Sequence, residues 1–138
     1  MREFSRVLTA FAVVIVFYFT VLYVFDLNHV PCPAGDAVEL KPPFNQFVGQ
    51  AYATPVPLLE NFSDSLEKLA RSTYTVCENN NALWPPHSVH MDIARLGHGR
   101  YSHWAGIGFI FSSSDNTNPN TNGRRYFAVS DNRHRGAE

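Results

Sequence analysis

The sequence predicts a single N-terminal transmembrane helix followed by a small, mainly-β exported domain, an antiparallel sandwich-like fold with one short helix. Three observations carry that expectation. Residues 7–25 hold 17 hydrophobic residues in 19 and no charge. All 9 prolines and all 8 glycines lie beyond that run, so the rest of the chain is turn-rich. The only two cysteines, Cys32 and Cys77, lie beyond it as well.

Nineteen residues at about 1.5 Å each span roughly 28 Å, close to the hydrocarbon thickness of a bilayer. A lone segment in lipid satisfies its backbone only as a helix. Arg2 and Arg6 precede the run, whereas Asp26, Asp36 and Glu39 follow it, with no Lys or Arg until Lys41. The positive-inside rule then places residues 1–6 in the cytoplasm and the remainder outside. A buried segment of a soluble protein and a cleaved signal peptide are the competing readings. The run is longer than a usual signal-peptide apolar region and no small-x-small site follows, which favours an uncleaved anchor at residues 7–25. Outside the cytoplasm an isolated cysteine pair reads as one disulfide, Cys32–Cys77.

The elements follow in order. Residues 26–45 read as a Pro-rich extended tether and residues 46–138 as the exported β-rich domain. Gln46 to Thr54 alternates as one strand, ended by Pro55 and Pro57. Ser63 to Arg71 predicts a helix, with Asp64 as cap, Glu67 three residues on, and Leu66, Leu69 and Ala70 on one face. Ser72 to Glu78 is β-prone, Asn79 to Asn81 form a turn, and a further strand starts at Ala82. Asp92 and Arg95 suit a short helical turn. Gly106 to Ser112 reads as a central strand, with Arg124 to Ser130 pairing with it across a long polar loop.

Chemistry concentrates between Pro86 and Trp104, which holds four of the six histidines. His87 and His90 are three apart and, with His103, form a candidate metal-ligand set for a metal-dependent hydrolase. The spacing matches no zinc-hydrolase motif, and the imidazoles serve equally well as turn caps, so no metal or other cofactor is expected. Ser102 and His103 are adjacent, but neighbours on a strand face opposite ways. No nucleophile elbow, phosphate-binding loop or dinucleotide fingerprint occurs. A net charge of -1 excludes a dedicated nucleic-acid binder. Trp84, Tyr101 and Trp104, with His103, are candidates for an aromatic surface that takes a glycan or a protein. In the loop after Ser112, Asp115 and Asn116 favour local Asx bonding or a calcium ion. Arg124 and Arg125 could meet an anionic partner or simply end a strand in solvent.

The run WPPHSVHMDIARLGHGRYSHW, followed by FIFSSSDNTNPNTNGRRY, resembles small extracytoplasmic β domains of bacterial membrane proteins, some of which accompany envelope sugar-transfer enzymes. The resemblance covers residues 74–127 and rests on the run as a whole rather than on a catalytic motif. It implies a bacterial envelope protein in an accessory role and carries over no site residues. The resulting expectation is a non-catalytic accessory or stabilising subunit of an inner-membrane complex. It would contact integral membrane subunits through the periplasmic domain and the lipid bilayer through residues 7–25. A carbohydrate-binding module and the histidine-site hydrolase are the alternatives. Without its first 25 residues the chain is about 38% hydrophobic, a lean composition that leaves stability to a disulfide, a membrane or a partner.

Overall fold

The computed structural model describes residues 13–20 and 30–130, and the chain divides into two compact units at Val30 and Pro31. In the first unit residues 13–20 are helical with exposed apolar side chains, and Thr20 Oγ1 donates back to the Val16 carbonyl at 2.7 Å. The rest of the expected membrane span at 7–25, the cytoplasmic residues 1–6 and most of the link before Val30 lie outside the described residues. Among the described residues no helix is long and apolar enough to cross a membrane.

The second unit is a mainly-β domain of two four-stranded antiparallel sheets. Its strands are β1 (Ala37–Leu40), β2 (Asn45–Val48), β3 (Ala51–Thr54), β4 (Tyr74–Glu78), β5 (Asn81–Ala82), β6 (Tyr101–Trp104), β7 (Gly108–Phe111) and β8 (Tyr126–Ser130). One sheet has the order β1-β8-β4-β5 and the other β2-β3-β7-β6. A 3-10 helix, Pro57–Phe62, follows β3, and one α-helix, α1 (His90–Arg95), precedes β6.

Strand alternation sorts each side chain to a face. Val76, Tyr126 and Ala128 from one sheet meet Tyr52, Tyr101, Phe109 and Phe111 from the other, and Leu40, Phe44, Leu59 and Leu83 close the layer between them. Phe44 sits edge-on to Phe111 at 5.1 Å and to Tyr126 at 5.6 Å, a packing that the ring quadrupole favours. The outward residues of the second sheet form a smaller cluster, in which Ala51, Ala53 and Ile110 are covered by Ile93 and Ala94 of α1. Gly108 is required where β7 passes β3: its φ is +92°, and a Cβ there would meet the Thr54 carbonyl.

Four local expectations change. Residues 31–45, expected to belong to the tether, are built into the domain: Pro31 bridges to Asn81, and β1 pairs with β8 along Ala37↔Val129 to Leu40↔Tyr126. The single strand expected over Gln46–Thr54 is a hairpin, because Gly49, with φ +54°, turns the chain back. Arg124–Ser130 supplies β8, which pairs with β1 and β4 rather than with β7, since the polar loop carries the chain across to the opposite sheet. The helix expected over Ser63–Arg71 is absent; this segment runs as bends and turns beside β6. The helical turn at Asp92 and Arg95 is present as α1, and it buries Ile93 while leaving Met91 and Leu96 exposed.

The disulfide is formed. Cys32 and Cys77 are bonded, with their Cα atoms 6.0 Å apart, and the Cys32 N–H donates to the Asn80 carbonyl at 3.0 Å. Closing a 45-residue separation restrains the unfolded chain and pins the start of the domain to β4.

Candidate functional site

The densest chemistry lies at the β6 edge. A sheet edge presents unpaired backbone groups that must be covered. Here two loop segments cover it. The Asp64 N–H donates to the His103 carbonyl at 2.8 Å and the Ala105 N–H to the Asp64 carbonyl at 2.9 Å. On the Pro85–Ser88 side, the Tyr101 N–H reaches the Pro85 carbonyl at 3.2 Å and the Ser88 N–H the Tyr101 carbonyl at 3.0 Å.

This arrangement brings four polar side chains into a row. His87 Nδ1 lies 2.6 Å from Asp64 Oδ2, Asp64 Oδ1 accepts the Ser72 N–H at 2.8 Å, and Ser72 Oγ lies 2.8 Å from His103 Nδ1. Asp64 is 2% exposed, Ser72 6% and His103 1%; only His87 reaches solvent appreciably. The His103 ring stacks on Phe109 at 4.1 Å and 8°, with Tyr74 edge-on at 6.0 Å. Its Nε2 is buried without a hydrogen-bond partner among the described residues. Burial pushes the His103 imidazolium down to about 4, against the opposing pull of Asp64 and Glu60, so the ring is neutral at pH 7.

The serine–histidine distance is that of an activated nucleophile, but the remaining geometry does not build a catalytic triad. Asp64 contacts the Ser72 backbone and a different imidazole, His87, rather than the second nitrogen of His103. Both reacting groups are enclosed. What the row can do is hold the covering loops in place, because Asp64 bonds to His87 and Ser72 to His103, each on another segment.

The sequence-derived candidates separate. His103 faces the core through the register His103↔Phe109, whereas Ser102 pairs with Ile110 and faces the other way. His90 sits on the opposite face of the β6–β7 sheet, edge-on to Trp104 at 5.3 Å and to Phe47 at 6.1 Å, and burial lowers its pKa. His87, His90 and His103 are therefore not one ligand set, and among the described residues no group of three or more His, Cys, Asp or Glu is placed to hold a metal. Tyr101 is a core residue whose hydroxyl burial pushes up to about 12. Trp84 is 70% exposed and Trp104 half-buried, so the three aromatics do not share one stacking surface.

The remaining candidates form a second network. Glu78, at the end of β4, points inward beside Tyr126. Its Oε1 accepts from Tyr126 Oη at 2.9 Å and from Arg124 at 3.1 Å, and its Oε2 from Ser114 Oγ. Arg124 also pairs with Asp115 at 2.6 Å, and together with Thr117 it holds that carboxyl well below the usual carboxylate range. Asn116 adopts φ +63° and accepts the His98 N–H at 2.6 Å. Arg125 pairs with Glu39 at 3.0 Å and lies over the Phe127 ring. Asp115, Asn116 and Arg124 thus fasten the polar loop to the sandwich. Reading the sequence alone missed Asp64, Ser72 and Glu78 as site residues, since three positions far apart in the chain carry no spacing signal. No protein family, no curated protein and no solved structure matches the chain.

Proposed function

We propose that the chain is a non-catalytic, membrane-anchored accessory subunit of a bacterial inner-membrane complex. Its N-terminus is cytoplasmic, its β domain is periplasmic, and that domain binds integral membrane partners. One observation carries the reading: the groups with catalytic potential, Asp64, Ser72 and His103, are enclosed and spent on holding loops to the β6 edge, while apolar groups are presented outward. On the α1 side of the domain, exposed Phe47 and Met91 flank the half-buried His90–Trp104 pair, a composition typical of protein interfaces.

Gentle detergent extraction of the full chain from its native membranes, followed by size analysis, tests this. The wild type is expected in a large assembly, and a Phe47→Glu, Met91→Glu variant is expected at the size of the lone 15.6 kDa chain in its micelle. A wild-type chain that runs alone refutes the proposal.

A further inference from the structure

We propose that the segment from Leu58 to Leu69 is a lipid-contacting loop, by which the exported domain rests on the bilayer that its N-terminal run enters; this inference rests on the membrane-anchored reading above. Asp64 turns inward, 2% exposed, while half-buried Glu60 accepts the Gly106 N–H at 2.6 Å and Glu67 is exposed. Apart from Leu59, which is buried in the core, the segment's large apolar side chains turn outward, with Leu58 78%, Phe62 50%, Leu66 88% and Leu69 70% exposed. Isolated exposed apolar residues are ordinary in soluble domains, but four large ones within twelve residues mark a contact surface. Ser65 and Lys68 exchange backbone hydrogen bonds at 3.1 and 3.2 Å, so Leu66 and Glu67 form the tip of a tight turn.

The occupant follows from charge and reach. Lys68 and, two residues beyond the segment, Arg71 are exposed beside Glu67, so two basic side chains flank the leucine turn and can meet anionic headgroups. Long basic side chains beside leucines also let the apolar groups sink while the charge stays at the interface. The link from the apolar run to the domain is short. Only six residues separate Phe25 from Cys32, which is tied to Cys77 in β4. Fully extended, they reach about 20 Å, whereas a domain of this size has a radius of gyration near 13 Å. The domain is therefore confined beside the bilayer, and a projecting leucine turn meets lipid at high effective concentration.

The test reconstitutes the full chain into phosphatidylcholine–phosphatidylglycerol vesicles, with ordinary or brominated acyl chains. It compares wild type with Leu69→Trp, an exposed position that tolerates the larger ring. Flotation with the vesicles checks the anchor. Given flotation, the added tryptophan is expected to lose at least half its emission to brominated lipid, well beyond the quenching of native Trp84 and Trp104. A floating Leu69→Trp chain quenched no more than wild type overturns the lipid contact and leaves the anchored reading standing; a surface reserved for a protein partner gives that result, since no partner is present. A wild-type chain that fails to float overturns both.

Discussion

Replacing Asp64 with alanine probes whether the buried row holds the β6 edge closed. The change removes the acceptor of the Ser72 N–H at 2.8 Å and the partner of His87 Nδ1 at 2.6 Å. A hydrogen bond to a charged group contributes about 1.5–3 kcal/mol, and a buried donor left unpaired costs about 1–3 kcal/mol. Since the lost Ser72 bond and its orphaned amide are the same loss, the two bonds sum to about 3–6 kcal/mol, toward the lower end because His87 is partly exposed. The backbone bonds of Asp64 with His103 and Ala105 survive, because they use no side chain. Asp64→Asn keeps an acceptor for Ser72 and a polar group opposite His87, so it should cost only about 1 kcal/mol. Denaturant unfolding of the full chain in detergent, followed by tryptophan emission, gives both values from midpoint and slope. An Asp64→Ala chain within about 0.5 kcal/mol of wild type, below the cost of one lost bond, refutes the reasoning, as does an asparagine variant equally damaged.

Replacing Cys32 and Cys77 with serine should cost about 4 kcal/mol by the loop-closure relation for a 45-residue separation, read from the same unfolding curves. His103 gives a pH signature. Its folded-state value near 4 lies below the unfolded 6.5, so the unfolded chain takes up a proton first and stability falls as pH drops from 6.5 to 4, by about 3 kcal/mol, then levels. A His103→Gln chain should lack that component in paired titrations of stability, whatever its absolute stability. Arg124→Ala should cost about 3 kcal/mol by leaving the buried Glu78 carboxylate without its cation, and Arg124→Ala with Glu78→Gln should recover part of it in a double-mutant cycle.

What was legible in the sequence is the part governed by local pattern. The GFIF core of β7 shows its centrality in its own hydrophobicity, and the Asn79–Asn81 turn in its own backbone preference, with Asn79 at φ +54°. The Cys32–Cys77 bond followed from having two cysteines and no other partner for either. Long-range choices were not written locally. Nothing in YFAVS distinguishes pairing with β7 from pairing with β1 and β4; the decision rests on Tyr126 and Ala128 facing the core between the sheets while Phe127 and Val129 lie on the other face of their sheet. The candidate site suffered most from this, because Asp64, Ser72, His87 and His103 meet only after β6 has acquired its covering loops.

Asp64 shows how tertiary structure outbid a local signal. As the cap of a helix over Ser63–Arg71 it would contribute about 1 kcal/mol. In the folded domain its main chain bonds to His103 and Ala105 across the β6 edge, and its carboxylate holds Ser72 and His87. Those are four bonds, two of them charge-assisted, against one cap, so the edge wins by several kcal/mol. The consequence runs outward along the chain. A helix would have aligned Leu66, Leu69 and Ala70 on a buried face, but with Asp64 drawn to β6 the following residues turn at Ser65–Lys68, and the leucines are left outside. The buried acid and the exposed leucines are thus one event seen from two sides: closing the polar edge of the sandwich is what presents an apolar turn to its surroundings.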